Sequence, residues 1–162
     1  MSELLPPFHF DGYTLRLAVT TQDLPLAALW TAADPDHADM IPWFWMRQSP
    51  DINSFVLEDS EGPLFFFRMQ IMNVTEIEVH IQFGPGDALP ARARLMNALL
   101  AGFAWLENRL AQVGFRTMFF YSKNPALIHF CQKRMGFDWD GRRLERKMIY
   151  GEVKREEEKR TA

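Results

Sequence analysis

The alternation of apolar and polar residues is cleanest at Glu76–Phe83. Glu76, Glu78, His80 and Gln82 fall on one side and Ile77, Val79, Ile81 and Phe83 on the other. A period of two predicts a strand. Tyr13–Val19 alternates in the same way, and Ser54–Glu58 and the strongly apolar Leu64–Met72 also read as strands. Asp59–Pro63 is a turn, and Asn73 ends the strand before it. Short loops join Ser54–Glu58, Leu64–Met72 and Glu76–Phe83, so these three predict an antiparallel meander. Helical spacing takes over further along. Leu95, Leu99, Phe103, Leu106 and Leu110 form one stripe, with Met96 and Leu100 beside it, which predicts a helix from about Ala88 to Val113 stopped by Gly114.

The remaining elements are shorter. Thr20–Asp23 can cap a helix through Leu24–Ala33, and a second short helix over Ala38–Gln48 is interrupted at Pro42. Arg116–Tyr121 predicts a strand. Asn124-Pro125 then starts a helix, Asn as N-cap and Pro as first helical residue, which ends near Gly136. Phe137–Trp139 and Arg143–Tyr150 predict a hairpin turned at Asp140-Gly141. The order is β-α-α-β-β-β-α-β-α-β-β. It predicts an α/β (mixed α+β) fold: a central, mixed, mostly antiparallel sheet with helices on both faces. Residues 1–150 are expected to form a single domain. Residues 151–162 are almost all charged and are expected to be a disordered tail or a frayed helix.

Composition narrows the function classes. The chain has 162 residues, 48% apolar and 24% charged, with a net charge of −3. No clustered positive face is expected, so nucleic acid is not an expected partner. The single cysteine, Cys131, excludes an internal disulfide or a cysteine metal cluster. Met1–Phe10 lacks the basic and apolar halves of a secretory signal, and no apolar run is long enough to span a bilayer. A cytoplasmic protein without a membrane partner is expected. His9, His37, His80 and His129 show no metal-ligand spacing, and Asp34-Pro35-Asp36-His37 reads as a turn, so no metal is expected. There is no Walker-type loop and no nucleophile-elbow serine.

The element order, together with Phe115–Phe137, resembles the GNAT acetyltransferase superfamily. Its members follow a strand with Asn-x-x-Ala-x-x-x-Tyr-x-x-x-Gly-Phe. Here Asn124 opens the segment and Gly136-Phe137 closes it, with one residue more between them than the pattern has. The resemblance covers roughly Tyr13 to Tyr150. It implies an N-acyltransferase that takes acetyl-CoA, or another acyl-CoA, as cosubstrate and an amine as acceptor. A homodimer is compatible with it. The resemblance also implies that Asn124, Phe130 and Cys131 line the coenzyme A arm, and that the backbone of Ile81, Gln82 and Phe83 faces the thioester.

Two departures qualify that expectation. Members of the superfamily hold the coenzyme A pyrophosphate on a glycine-rich loop at the start of the long helix. Here the stretch is Asp87-Ala88-Leu89-Pro90-Ala91-Arg92, and proline removes an N–H donor where a glycine belongs. Gly84 and Gly86 could supply a displaced loop, with Arg92 and Arg94 replacing backbone dipoles by charge. The acid tyrosine of the last helix is also missing: the position falls on Cys131 or Gln132, with Tyr121 as a fallback at the end of the strand. Cys131 is either a proton donor or a small packed apolar residue. Glu78, His80 and Glu76 are the candidate bases, because amine acetylation requires an ammonium to lose its proton. Pro42–Met46 is core or an aromatic wall that brings Trp43 and Trp45 to the acceptor. The alternative to catalysis is a GNAT-like binding or structural module that has lost coenzyme A, of the kind found in phage-encoded proteins.

Overall fold

The structure, a computed structural model, describes residues 6–85 and 89–148. Gly86, Asp87 and the 151–162 tail lie outside the described residues. The strands are β1 (Phe8–Phe10), β2 (Tyr13–Leu17), β3 (Ile52–Asp59), β4 (Gly62–Ile71), β5 (Glu76–Phe83), β6 (Thr117–Phe120), β7 (Asp138–Trp139) and β8 (Leu144–Lys147). The helices are α1 (Thr20–Ala33), α2 (Leu89–Gln112) and α3 (Pro125–Arg134), with a 3-10 helix at Pro42–Met46. The strands form a mixed sheet in the order β1-β2-β3-β4-β5-β6-β8-β7. β5 pairs with β6 in parallel, Glu76 opposite Thr117 and Glu78 opposite Phe119, and β5 continues past these pairs to Phe83. The fold class expected from the element order is therefore the observed one. No helix among the described residues is long and apolar enough to cross a membrane.

Two features depart from the expected elements. β1 is an additional strand. It pairs with β2 through a two-residue turn in which Asp11 and Gly12 both have positive φ, 51° and 84°. That geometry suits the twist of a hairpin and favours an Asp-Gly pair. The segment after α1 forms a 3-10 turn instead of an α-helix, because Pro42 removes a donor and favours only a short start.

The chain divides into two compact units, Met1–Met69 with His80–Leu99 and Gln70–Val79 with Leu100–Ala162. The core of the first is Ala18, Ala27, Trp30, Trp45, Met46, Val56 and Phe66, with Leu24, Leu26, Met40 and Phe44 packed against it. Trp30 meets Phe66 edge to face at 5.4 Å. Burying an aromatic ring of this size contributes roughly 2–3 kcal/mol. α1 is locked at its start by Asp23, which is buried. Its carboxylate accepts from the Val19 N–H (2.7 Å) and from both ends of the Arg16 guanidinium (2.8 Å each). Of the expected capping stretch Thr20–Asp23, which itself forms the first turn of α1, this buried acid secures the helix start, and its negative charge suits the positive end of the helix.

The second unit is organised by a triangle of Phe103, Phe120 and Phe137, with ring centroids 5.4–6.3 Å apart. Asn124 caps α3 as expected. Its side-chain oxygen accepts from the Ala126 N–H (3.0 Å) and the Leu127 N–H (3.3 Å). At the far end the Met135 and Phe137 N–H groups both donate to Cys131 O, which turns the chain so that Phe137 re-enters the core.

Gly84 shows how tightly the first unit is built. Its N–H donates to Leu64 O at 2.9 Å, and a Cβ there would lie 2.9 Å from two ring carbons of Trp30 and 3.0 Å from Leu64 O. Real Cβ atoms do not approach so closely, so Trp30 or the strand must move. Gly84→Ala is expected to destabilise the protein by about 1–3 kcal/mol, the usual range for overpacking, read as a lower urea midpoint at unchanged slope.

Candidate functional site

The polar side of β5 does not face water along its whole length. Toward its C-terminal end it is covered by the turn that leaves α1. Gln82 is buried, and its amide nitrogen donates to Asp34 Oδ2 (3.0 Å) and to Phe83 O (3.1 Å). Both partners can only accept, so the amide nitrogen must face them and the oxygen must face the other way. That oxygen lies 2.6 Å from His37 Nδ1. Asp34–His37 is a turn closed by the His37 N–H on Asp34 O at 3.0 Å, with the Asp36 N–H on Asp34 Oδ1 at 2.9 Å. One buried amide thus ties β5 to a carboxylate and an imidazole 48 and 45 residues away in sequence.

Beside this cluster lies an aromatic one. Phe44 is sandwiched by chemistry of two kinds: the Arg68 guanidinium carbon sits 3.8 Å from its ring centre, and His80 meets it edge to face at 5.1 Å. Arg68 Nη1 also donates to Phe44 O at 3.1 Å. Trp45 is wholly buried, with its ring centre 5.8 Å from His37 and 5.0 Å from Phe44. Its indole N–H has no acceptor among the described residues. Burial lowers the His80 pKa to about 4, and the positive charge of Arg68 pushes in the same direction. His80 is therefore neutral at neutral pH and a poor proton acceptor.

The residues singled out in the sequence separate clearly. His80 and Gln82 come together with Asp34, His37, Phe44 and Arg68. Ile81 and Phe83 are half-buried on the opposite side of β5. Trp45 is core, whereas Trp43 is exposed. Arg94 is engaged by a carboxylate and a main-chain carbonyl. Its guanidinium donates to both Asp59 oxygens (2.7 and 2.5 Å) and to Gly62 O, pulling the Asp59 pKa below its ordinary value. Gly84 is explained by Trp30. Arg92 is exposed in the first turn of α2.

In the second unit, Glu76 follows the Asn73 turn and Glu78 stands opposite Phe119 on β6. Asn124 spends its side-chain oxygen on the α3 cap. Phe130 is half-buried. Cys131 is buried, and desolvation raises its thiol to about 12, so it packs as a small apolar residue rather than serving as an acid. Asp34, His37 and Arg68 were not among the candidates, and Phe44 was one only as part of the Pro42–Met46 segment. The Asp-Pro-Asp-His turn is visible in the sequence, but nothing local announces a partner on β5. No group of three or more metal-ligating side chains occurs among the described residues.

The buried neutral imidazole makes stability depend on pH. The folded pKa of His80 lies below its unfolded value of about 6.5, so the unfolded chain binds more protons between these pH values. Stability is fully present above pH 6.5 and is lost as pH falls through about 4. The loss reaches about 3 kcal/mol by linkage. His80→Gln is expected to flatten this part of the profile, measured as urea midpoints between pH 7 and pH 4.

No family model matches the chain, and no curated protein matches it. Solved structures do. A probable GNAT-family acetyltransferase from Chromobacterium violaceum ATCC 12472 superposes with a TM-score of 0.60 at 20% identity, over 90% of this chain and 92% of that one. The ribosomal-protein-S18-alanine N-acetyltransferase of Escherichia coli gives 0.58 at 20% identity, over 85% and 94%. The apo form of FdhC, a nucleotide-linked sugar GNAT, gives 0.65 at 14% identity, over 97% of both chains. This chain has the fold of the GNAT acetyltransferases.

Proposed function

We infer that the protein is an acyl-CoA-dependent N-acyltransferase that moves an acetyl group onto an amine of a small molecule or peptide. The carrying observation is β5. Its parallel ladder with β6 is confined to Glu76–Glu78, and its later residues run on to Phe83 with a polar side that meets Asp34–Trp45. A strand that outlasts its ladder has main-chain groups to offer a ligand, and Ile81 and Phe83 add half-buried apolar surface for an acyl arm. The fold neighbours support acyl transfer as the reaction class. Acetyl-CoA supplies the acyl group as a thioester. Backbone N–H groups at Ile81–Phe83 polarise its carbonyl, and Arg92 meets the pyrophosphate charge. Trp43, exposed on the 3-10 turn, is assigned to the acceptor.

A second reading, a non-catalytic module without coenzyme A, is favoured by one observation. The Arg94 charge that could have replaced the missing glycine cradle is held by Asp59. Calorimetry with acetyl-CoA separates the two. Binding is expected, and Arg92→Ala is expected to weaken it about tenfold, the size of one charge-assisted contact. No heat and no thermal stabilisation at millimolar acetyl-CoA would leave the module reading standing.

A further inference from the structure

We propose that His37, on the turn after α1, is the proton acceptor for the amine substrate, with Gln82 and Asp34 as its positioning residues. This assignment rests on the acyltransferase reading. It starts from the acceptors around Gln82. Asp34 Oδ2 and Phe83 O fix the amide nitrogen, so Gln82 Oε1 must receive a hydrogen from His37 Nδ1 at 2.6 Å. Asp34 Oδ2, 3.5 Å from the same nitrogen, reinforces that choice. Neutral His37 therefore carries its proton on Nδ1, and the lone pair is on Nε2. Among the described residues Nε2 has no hydrogen-bond partner, and 27% of the His37 side chain stays exposed.

The arrangement has the features a base requires. Its tautomer is set from behind by a buried amide, its ring is backed by Trp45, and its basic nitrogen is left for a ligand. The carboxylate of Asp34 lies on the Nδ1 side, where it stabilises the imidazolium that forms. His80 lacks these features, since burial keeps it neutral and Phe44 covers it. In the proton transfer, an N–H bond of the substrate ammonium breaks and an Nε2–H bond forms. The electron pair stays on the amine nitrogen, which becomes the nucleophile. The imidazolium then releases its proton to solvent.

The test combines spectroscopy with kinetics on the full chain. Long-range nitrogen–proton NMR of labelled wild type at pH 8 is expected to show His37 protonated on Nδ1, and Gln82→Met is expected to shift it toward the Nε2–H form. A dominant Nε2–H form in the wild type would overturn the assignment without any substrate. With an alanine-initiated peptide, a polyamine and an amino sugar as amine probes, His37→Gln is expected to keep acetyl-CoA affinity within about twofold. It is expected to lose kcat by about 100-fold or more on any probe the wild type uses. His37→Gln at the wild-type rate, or a comparable loss in Glu78→Gln alone, would overturn the assignment while leaving the acyltransferase reading intact. A wild type that binds no acetyl-CoA would instead remove the reading on which it rests.

Discussion

The buried amide of Gln82 is the contact on which the distinctive part of this protein depends. A carboxamide on the inner face of a strand is costly unless both its ends are satisfied. Here the nitrogen is held by two acceptors and the oxygen by an imidazole. Two of these bonds anchor the turn after α1 and orient His37, and the third ties the amide back to its own strand. Structure and proposed chemistry thus share a single cause. Replacing the amide with an apolar side chain of equal size would keep the packing but release the turn.

Charge elsewhere in the first unit is used structurally. Arg16 is held by Asp23 and Glu58, and Arg94 by Asp59 and Glu61. The Asp23 pair lies deep enough to fix the start of α1, whereas the Glu61 contact sits at an exposed turn and contributes little. In the second unit Arg146 and Glu107 pair in the same structural manner, and the Phe103–Phe120–Phe137 triangle sets the packing of α2, β6 and the segment after α3.

Much of the fold was legible in the sequence because its signals are local. The period of Glu76–Phe83, the α2 stripe and the Asn124-Pro125 start each depend on residues a few positions apart, and each element formed where expected. β1 was missed because three residues carry too little periodicity, although the Asp-Gly turn beside it was present. The site was less legible. Its sharing of one strand side by His80 and Gln82 follows from alternation alone. The partners on Asp34–Phe44 do not, because bonds spanning 45 and 48 positions leave no mark on either segment. The different settings of the two arginines are hidden for the same reason. Arg94 and Arg92 look alike in sequence, and only the Asp59 turn 35 positions upstream distinguishes them.

Hydrogen exchange tests the organising role of Gln82 most directly. In Gln82→Met the backbone amides of His37, Met40 and Phe44, which close the turns of this segment, should lose protection by more than tenfold. The amides of α2 around Phe103–Leu110 should keep theirs. Equal protection of His37, Met40 and Phe44 in the variant and the wild type would contradict the account, since the segment would then be held by packing alone.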